Sequence, residues 1–303
     1  MSSISETSTV TATASSANRS DWEVVVGSPF YSRIGGLRRP KTPTPGTDVA
    51  GVVEAVGGAV ESFRPGGEVF GDVMYHGGKT FAEYVSVPEN AVLVPKPAEL
   101  TFAEASTLPQ AGMIALQGMA GVASGERVLI NGAGGGSGAF AIQMAKAAGA
   151  HVTGVDNPHK LDFIKSVGAD EAIDYTTTDY TRTGPYDRIL DLVCERSIFA
   201  IRKAVAPGGR YRVVGGHTRS LLSAATMGRV LSLGSRSFGV LVVRPNRNDL
   251  AKLADMAARG DLRTAIDEVY PLEGAPQAVA RLGEGRALGK LVIEISRSSP
   301  ANR

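Results

Sequence analysis

The sequence predicts an α/β protein in two parts. One is a doubly wound parallel sheet with helices on both faces, and the other is a smaller β-rich unit. Three observations carry that prediction. Residues 127–138 run from a short apolar strand into a loop with five glycines and on into a helix. From there to about residue 243, strand-like and helix-like segments alternate, the pattern of a parallel sheet with crossover helices. Ahead of it, from Asp48 to Val94, short segments are punctuated by Pro45, Pro65, Pro88, Pro95 and Pro97, which reads as short strands with turns around a barrel-like core. A chain of 303 residues fits two domains.

Taken in order, the first 20 residues contain 11 Ser or Thr and little that could pack, so residues 1–17 are expected to be a disordered or frayed lead. They lack the charged start and apolar core of a signal peptide. The tail from Ser296 reads the same way, and Arg38-Arg39-Pro40-Lys41 reads as a solvated loop. Strands are expected at Val49 to Val56, Glu68 to Phe70, Phe81 to Val85 and Val92 to Val94. Thr101 followed by Glu104 predicts a capping box at a helix start. Further strands are expected at 127–131, 151–155, 170–174, 187–193, 209–215 and 238–243, with helices at 137–148, 158–167, 195–205 and 218–231. After Pro245 come a helix, a short strand, a second helix and a closing strand, Leu291 to Ile295, expected to return to the β-rich unit.

The glycine segment carries the chemistry. Val128-Leu129-Ile130 feeds a loop of Gly132, Ala133, Gly134, Gly135, Gly136, Ser137 and Gly138, then a helix closed by Gly149. A second strand ends in Asp156, 18 residues after Gly138. Strand, glycine loop, helix, strand and acid is the order of a dinucleotide site. Glycines let backbone N–H groups approach a pyrophosphate, and the helix N-terminus supplies partial positive charge. The acid would take the ribose diol. Gly-rich turns also join strands to helices for steric reasons alone; here the placed acid and the repeating units downstream favour the cofactor.

Bulk properties exclude other classes. Hydrophobic content is 43%, mean hydropathy is near zero and net charge is +2, so nothing argues for nucleic acid or an anionic surface. No apolar run approaches the roughly 20 residues of a membrane helix. The single cysteine, Cys194, excludes an intrachain disulfide framework and fits a reducing, cytoplasmic setting.

The ordered motifs resemble the medium-chain dehydrogenase/reductase superfamily, in its zinc-independent quinone oxidoreductase branch. They are Asn18-Arg19-Ser20-Asp21-Trp22, Pro45 to Val53, Phe63 to Gly71, Phe81 to Val85, Leu108 to Gly112, the glycine loop, and Gly168-Ala169-Asp170 leading to Asp174-Tyr175. The resemblance covers roughly residues 16–295 and implies a GroES-like domain plus a Rossmann domain with the active cleft between them. The implied organisation is a lead at 1–17, the GroES-like catalytic domain at 18–100, the Rossmann domain at 101–245 and the return segment at 246–303. A homodimer through the last Rossmann strand, Phe238 to Val243, is implied by analogy. Two departures stand out: an expected first hairpin ahead of Asn18 is missing or replaced, and Ser137 stands where a small apolar residue is usual.

The resemblance also bears on metal and cofactor. Zinc-dependent members have a cysteine where Asn18 stands and a His-Glu pair where Thr47-Asp48 stands; a structural zinc needs four cysteines. With one cysteine, no zinc is expected. His76, His151, His159 and His217 show no ligand spacing. Asn18 is the expected donor to the substrate oxygen, with Tyr75 and His76 as weaker candidates and Trp22 as a wall. Asp156 favours NAD, whereas Lys160 and Tyr175 match positions that hold the 2′-phosphate of NADP, so both cofactors are expected. Val214, Gly215 and Gly216 are expected beside the nicotinamide. The leading reading is hydride transfer to a quinone or an α,β-unsaturated carbonyl. The alternatives are a non-catalytic nucleotide-binding or scaffold protein, a truncated paralogue, and an alcohol dehydrogenase.

Overall fold

The computed structural model describes residues 4–38, 40, 43–232 and 234–295. The expected tail from Ser296, and Arg39 and Lys41 of the basic stretch, lie outside the described residues. The chain divides into two compact units. The first takes residues up to Ser28, Ser32–Met113 and the chain from Pro245 onward; the second takes Pro29–Tyr31 and Ile114–Arg244.

The chain begins with β1 (Thr7–Ala17), α1 (Arg19–Val26), β2 (Asp48–Val56), β3 (Glu68–Asp72), β4 (Tyr84–Pro88), β5 (Val92–Pro95), α2 (Phe102–Thr107) and α3 (Pro109–Gly118). The second unit follows with β6 (Arg127–Asn131), α4 (Gly136–Ala147), β7 (His151–Asp156), α5 (Leu161–Ser166), β8 (Glu171–Asp174), β9 (Tyr186–Asp191), α6 (Ile198–Ala204), β10 (Val205–Val213), α7 (Thr218–Leu231) and β11 (Ser237–Val240). The chain then returns through α8 (Arg247–Ala258), β12 (Ile266–Pro271), α9 (Ala275–Gly283) and β13 (Lys290–Glu294).

The first correction concerns the Ser/Thr-rich lead. It is strand β1 rather than a frayed end, and it pairs antiparallel with β2, β4 and β13. The physical reason is that Val10, Ala12, Ala14 and Ala17 are buried and β-branched threonines suit a pleated surface. Two of its buried hydroxyls are also satisfied: Ser15 Oγ donates to the Asp48 carbonyl at 2.5 Å, and Ser16 Oγ contacts both Asp48 Oδ2 at 3.0 Å and the Ser106 carbonyl at 2.8 Å. Hydrogen bonding of this kind removes the cost of burying them.

The sheet of the first unit runs β12-β13-β1-β2-β3-β5, with β4 on β1. Its core gathers Val10, Val49, Val53, Phe81, Leu93 and Ile293. The chain's late strand β13 lies beside its early strand β1, with Ala17 opposite Leu291. At the start of α2, Thr101 and Glu104 form the reciprocal cap: Thr101 N donates to Glu104 Oε2 at 2.9 Å and Glu104 N to Thr101 Oγ1 at 3.2 Å.

The second unit is a six-stranded parallel sheet in the order β11-β10-β9-β6-β7-β8. The chain runs outward from β6 to β8, then restarts at β9 and runs the other way. The reversal between β6 and β9 is the topological switch point, where ligands of such sheets bind at the carboxyl ends of the strands. Here the last strand stops at Val240, short of the expected Val243; Leu241 N still donates to the Val213 carbonyl at 2.9 Å, and Pro245, four residues on, has no N–H to give.

Candidate functional site

The glycine loop sits at the carboxyl end of β6, and its glycines have separate reasons. Gly132 has φ +85°, which L side chains rarely adopt. A Cβ on Gly138 would overlap the Gly132 carbonyl and lie 2.6 Å from Ala133 Cα, so this glycine lets α4 start against the loop. A Cβ on Gly134 would lie 2.5 Å from Lys160 Cδ and 3.1 Å from Asp156 Oδ2. Gly135 differs: its added Cβ would meet only the Gly132 carbonyl, at 3.6 Å. The protein's own packing does not require a glycine there, whereas a pyrophosphate approaching the N-terminus of α4 does. The dinucleotide therefore fits the residues present. Ser137 lies half-buried in the first turn of α4.

Asp156 ends β7 and is 8% exposed. Its Oδ2 accepts from Gly134 N at 2.9 Å and its Oδ1 from Asn157 N at 2.9 Å. Lys160 Nζ lies 3.7 Å from Oδ1, and this lysine is itself 6% exposed. The carboxylate thus braces the loop while its charge is opposed from the other side. Tyr175 N donates to the Asp156 carbonyl at 3.2 Å, which places Tyr175, 40% exposed, beside the same strand end. Beyond β10, Val214 N donates to the Asp191 carbonyl at 2.9 Å. Gly215 and Gly216 have φ +71° and +96°, and a Cβ on Gly215 would meet nothing within 4 Å.

Sequence reasoning passed over a polar node at the switch point. Asn131 and Asp191 are register partners at the ends of β6 and β9. Asn131 Nδ2 donates to Asp191 Oδ1 at 2.8 Å, and Tyr211 Oη to Oδ2 at 3.0 Å. The backbone N–H groups of Val193 and Cys194 also reach Oδ1, at 3.1 and 2.8 Å. A polar residue closing each apolar strand was the signal. The node holds the turn that carries Cys194 at φ +59°. Burial and the Asp191 charge push the Cys194 thiol up to about 11, so it is no nucleophile.

In the first unit, Asn18 is 6% exposed and follows β1 as the N-cap of α1. Its backbone N–H donates to Asp21 Oδ2 at 2.7 Å. Its Nδ2 donates to Asp48 Oδ2 at 2.8 Å, with longer contacts to Thr47 Oγ1 at 3.4 Å and the Ser16 carbonyl at 3.5 Å. Lys290 Nζ, from β13, donates to Asn18 Oδ1 at 2.6 Å and lies 3.7 Å from Asp48 Oδ2. Asp48 Oδ1 accepts from Gln110 N at 3.1 Å, Asp21 Oδ1 from Gly46 N at 3.1 Å and Asp72 Oδ1 from Met74 N at 2.8 Å. Three buried carboxyls thus gather around one buried ammonium. Burial pushes Asp21 and Asp72 up to about 7, raises Asp48 and lowers Lys290.

Tyr75 and His76 lie on an exposed turn three and four residues past Asp72 of this cluster, with Tyr75 72% exposed. Trp22 packs against the core of the first unit and under Arg19, whose Cζ is 4.1 Å from the ring. Where zinc ligands are implied stand an amide, a hydroxyl and a carboxylate, and the amide oxygen already takes an ammonium. That donor set does not fit a zinc ion. Among the described residues, no group of three or more His, Cys, Asp or Glu could hold a metal. Nor, among them, is any helix long and apolar enough to cross a membrane.

Comparison with known proteins gives the following likenesses. Residues 5–98 match the family model of the alcohol dehydrogenase GroES-like domain, and residues 167–293 that of the zinc-binding dehydrogenase. The chloroplast envelope quinone oxidoreductase homolog of Arabidopsis thaliana is 31% identical over 297 residues, covering 93% of this chain and 87% of that protein. The 2-methylene-furan-3-one reductase of Solanum lycopersicum is 35% identical over 282 residues, covering 87% and 67%. The solved structure of the quinone oxidoreductase from Coxiella burnetii matches with a TM-score of 0.86 at 27% identity, covering 96% of this chain and 91% of that one.

Proposed function

The chain belongs to the medium-chain dehydrogenase/reductase superfamily, in its quinone oxidoreductase-like branch, and from that premise we propose that it passes hydride from NADPH or NADH to a quinone or an α,β-unsaturated carbonyl. The observation that carries the proposal is Gly135, a loop glycine that the protein's own packing does not require and a bound pyrophosphate does. The nicotinamide supplies the hydride when bound. The chain's own groups bind, orient and polarise. Backbone N–H groups at the start of α4 hold the pyrophosphate, and Asp191 fixes the turn after β10, on which the open side of Gly215 leaves room for the ring. Asp156 braces the loop, and Lys160 compensates its charge, which supports acceptance of both cofactors.

Asn18 is the proposed donor to the substrate oxygen, on which negative charge builds as hydride arrives. One of its two amide protons is held by Asp48 at 2.8 Å; the other has only long contacts and is the one available to substrate. Tyr75 is a second, exposed candidate. No zinc takes part in this reading, since Lys290 already supplies a cation at the Asn18 oxygen. A homodimer through the outer edge of β11 remains part of the proposal, and light scattering tests it.

The test of function is oxidation of NADPH and of NADH, followed by absorbance, with 1,4-benzoquinone and with a simple enone as acceptors. Turnover with either acceptor is the expected result. Tight cofactor binding with no turnover on any quinone or enone would favour a non-catalytic nucleotide-binding protein, and oxidation of an alcohol in their place would favour an alcohol dehydrogenase.

A further inference from the structure

We propose that Lys290 and Asp48 are a positioning pair for Asn18, locking its carboxamide in the one orientation that keeps an N–H for the substrate oxygen. This rests on the reading of Asn18 as the substrate's donor. A carboxamide has two orientations of nearly the same shape, related by a half-turn about its last bond, and only its neighbours choose between them. Here the neighbours are opposite charges on opposite sides. An ammonium has donors only, so the group facing Lys290 Nζ at 2.6 Å is the amide oxygen. An ionised carboxylate has acceptors only, so the group facing Asp48 Oδ2 at 2.8 Å is the amide nitrogen. The flipped amide would set N–H against ammonium and oxygen against carboxylate, two like contacts in place of two good ones.

The pair is built for this purpose rather than for stability. Lys290 is 3% exposed and Asp48 fully buried, and two apolar residues at such a place are commonly as stabilising or more so. Every remaining bond of the pair also keeps it still. The Lys290 ammonium reaches the Ala17 carbonyl at 3.3 Å as well as Asn18. Asp48 takes the Ser16 hydroxyl at 3.0 Å and the Gln110 N–H at 3.1 Å. Asn18 itself is anchored at its backbone by Asp21. With the oxygen drawn toward a cation, the amide N–H also becomes a better donor, because linked hydrogen bonds polarise one another. The ammonium therefore acts on the substrate through Asn18 and does not touch it.

The experiment is a double-mutant cycle on the full chain with NADPH and 1,4-benzoquinone. One axis is Asn18→Ala; the other is the charge-free pair Lys290→Met with Asp48→Asn, chosen together so that no buried charge is left alone. Folding is checked by circular dichroism and thermal melting, and NADPH affinity by fluorescence titration. We expect the charge-free pair to lower kcat about ten- to a hundredfold with NADPH affinity unchanged. Asn18→Ala should lower it similarly, and adding Asn18→Ala to the charge-free pair should cost little more, the non-additivity of groups that act as one. Wild-type kcat in the charge-free pair, or losses that multiply, overturns the positioning role while leaving Asn18 as the donor. Wild-type kcat in Asn18→Ala alone overturns both. Asp48→Asn by itself, nearly isosteric, covers the case in which the paired variant does not fold: a fall in kcat at unchanged NADPH affinity supports the proposal, and an unchanged kcat overturns it.

Discussion

Replacing Asp156 by serine removes a carboxylate that does two things at once, and the structure separates them. Its Oδ2 holds the Gly134 N–H at 2.9 Å, which braces the pyrophosphate loop. Its charge faces Lys160 Nζ at 3.7 Å. Loss of the brace weakens the loop for NADH and NADPH alike and cancels in the ratio of the two. Loss of the charge does not cancel, since only NADPH carries a 2′-phosphate. A 2′-phosphate at an ordinary contact distance of about 4 Å from one such charge interacts with it by about 1 kcal/mol at the dielectric constant of water and about 4 kcal/mol at an effective value near 20. The aqueous figure is the safer floor for a group at a ligand site, and 1–1.4 kcal/mol is about five- to tenfold. Asp156→Ser should therefore raise the NADPH/NADH ratio of kcat/KM by at least about fivefold. Individual KM values for both cofactors should rise together. Lys160→Ala in the same background should take most of the gain back. The assay is steady-state oxidation of each cofactor with one quinone at fixed ionic strength, because salt screens the effect. An unchanged ratio refutes the reasoning: Asp156 would then act on the loop alone and lie away from the adenosine ribose.

Other expectations follow from the same geometry. Gly135→Val should abolish NADPH binding by fluorescence titration with the circular dichroism spectrum intact, whereas Gly138→Ala should lower the melting temperature because its Cβ has no room; wild-type affinity in Gly135→Val would sink the loop assignment. Burial, with the Asp48 charge second, pushes the Asp72 carboxyl up to about 7, so the folded state keeps a proton that the unfolded chain has lost. Its contribution to stability is complete below the ordinary carboxylate range and is lost as pH rises through 7. The melting temperature should fall between about pH 5 and pH 8 more steeply for wild type than for Asp72→Asn, with Asp21 leaving a residual slope in both, and parallel curves would contradict this. Elemental analysis should find far less than one zinc per chain, and stoichiometric zinc with chelator-sensitive turnover would reverse the reading of Asn18 and Lys290. Deleting residues 4–17 should leave the first unit unable to fold, and a soluble variant with a cooperative wild-type melt would show that β1 is dispensable.

Legibility varied with the range of the interactions involved. The second unit was readable because most of its strands carry a short apolar run closed by a turn, and the glycine loop, Asp156 and Lys160 lie within 30 residues of one another. The cap at Thr101 and Glu104 was equally local. β1 was misread because its composition was weighed and its period was not. Thr7, Thr9, Thr11 and Thr13 alternate with Ser8, Val10, Ala12 and Ala14, a period of two that marks a strand. Lys290 could not have been found this way. Among apolar neighbours it looks like the solvated first residue of a strand, and the atom it holds belongs to Asn18, 272 positions away. Asp48 was noticed only as a stand-in for a missing ligand, since nothing local says that its partner is a cation.

The pairing of β13 with β1 has a consequence for how this protein comes into being. The second unit is complete once Arg244 has been made and its contacts are near in sequence, so it can close while synthesis continues. The first unit cannot. Its sheet joins early and late strands, and β1, which pairs with β2, β4 and β13, must wait with part of its edge exposed until β13 arrives. The same late strand delivers Lys290. A ribosome that stops short of β13 would release a chain whose second unit can close and whose Asn18 has no cation beside it. The cation beside Asn18 thus arrives together with the strand that pairs with β1.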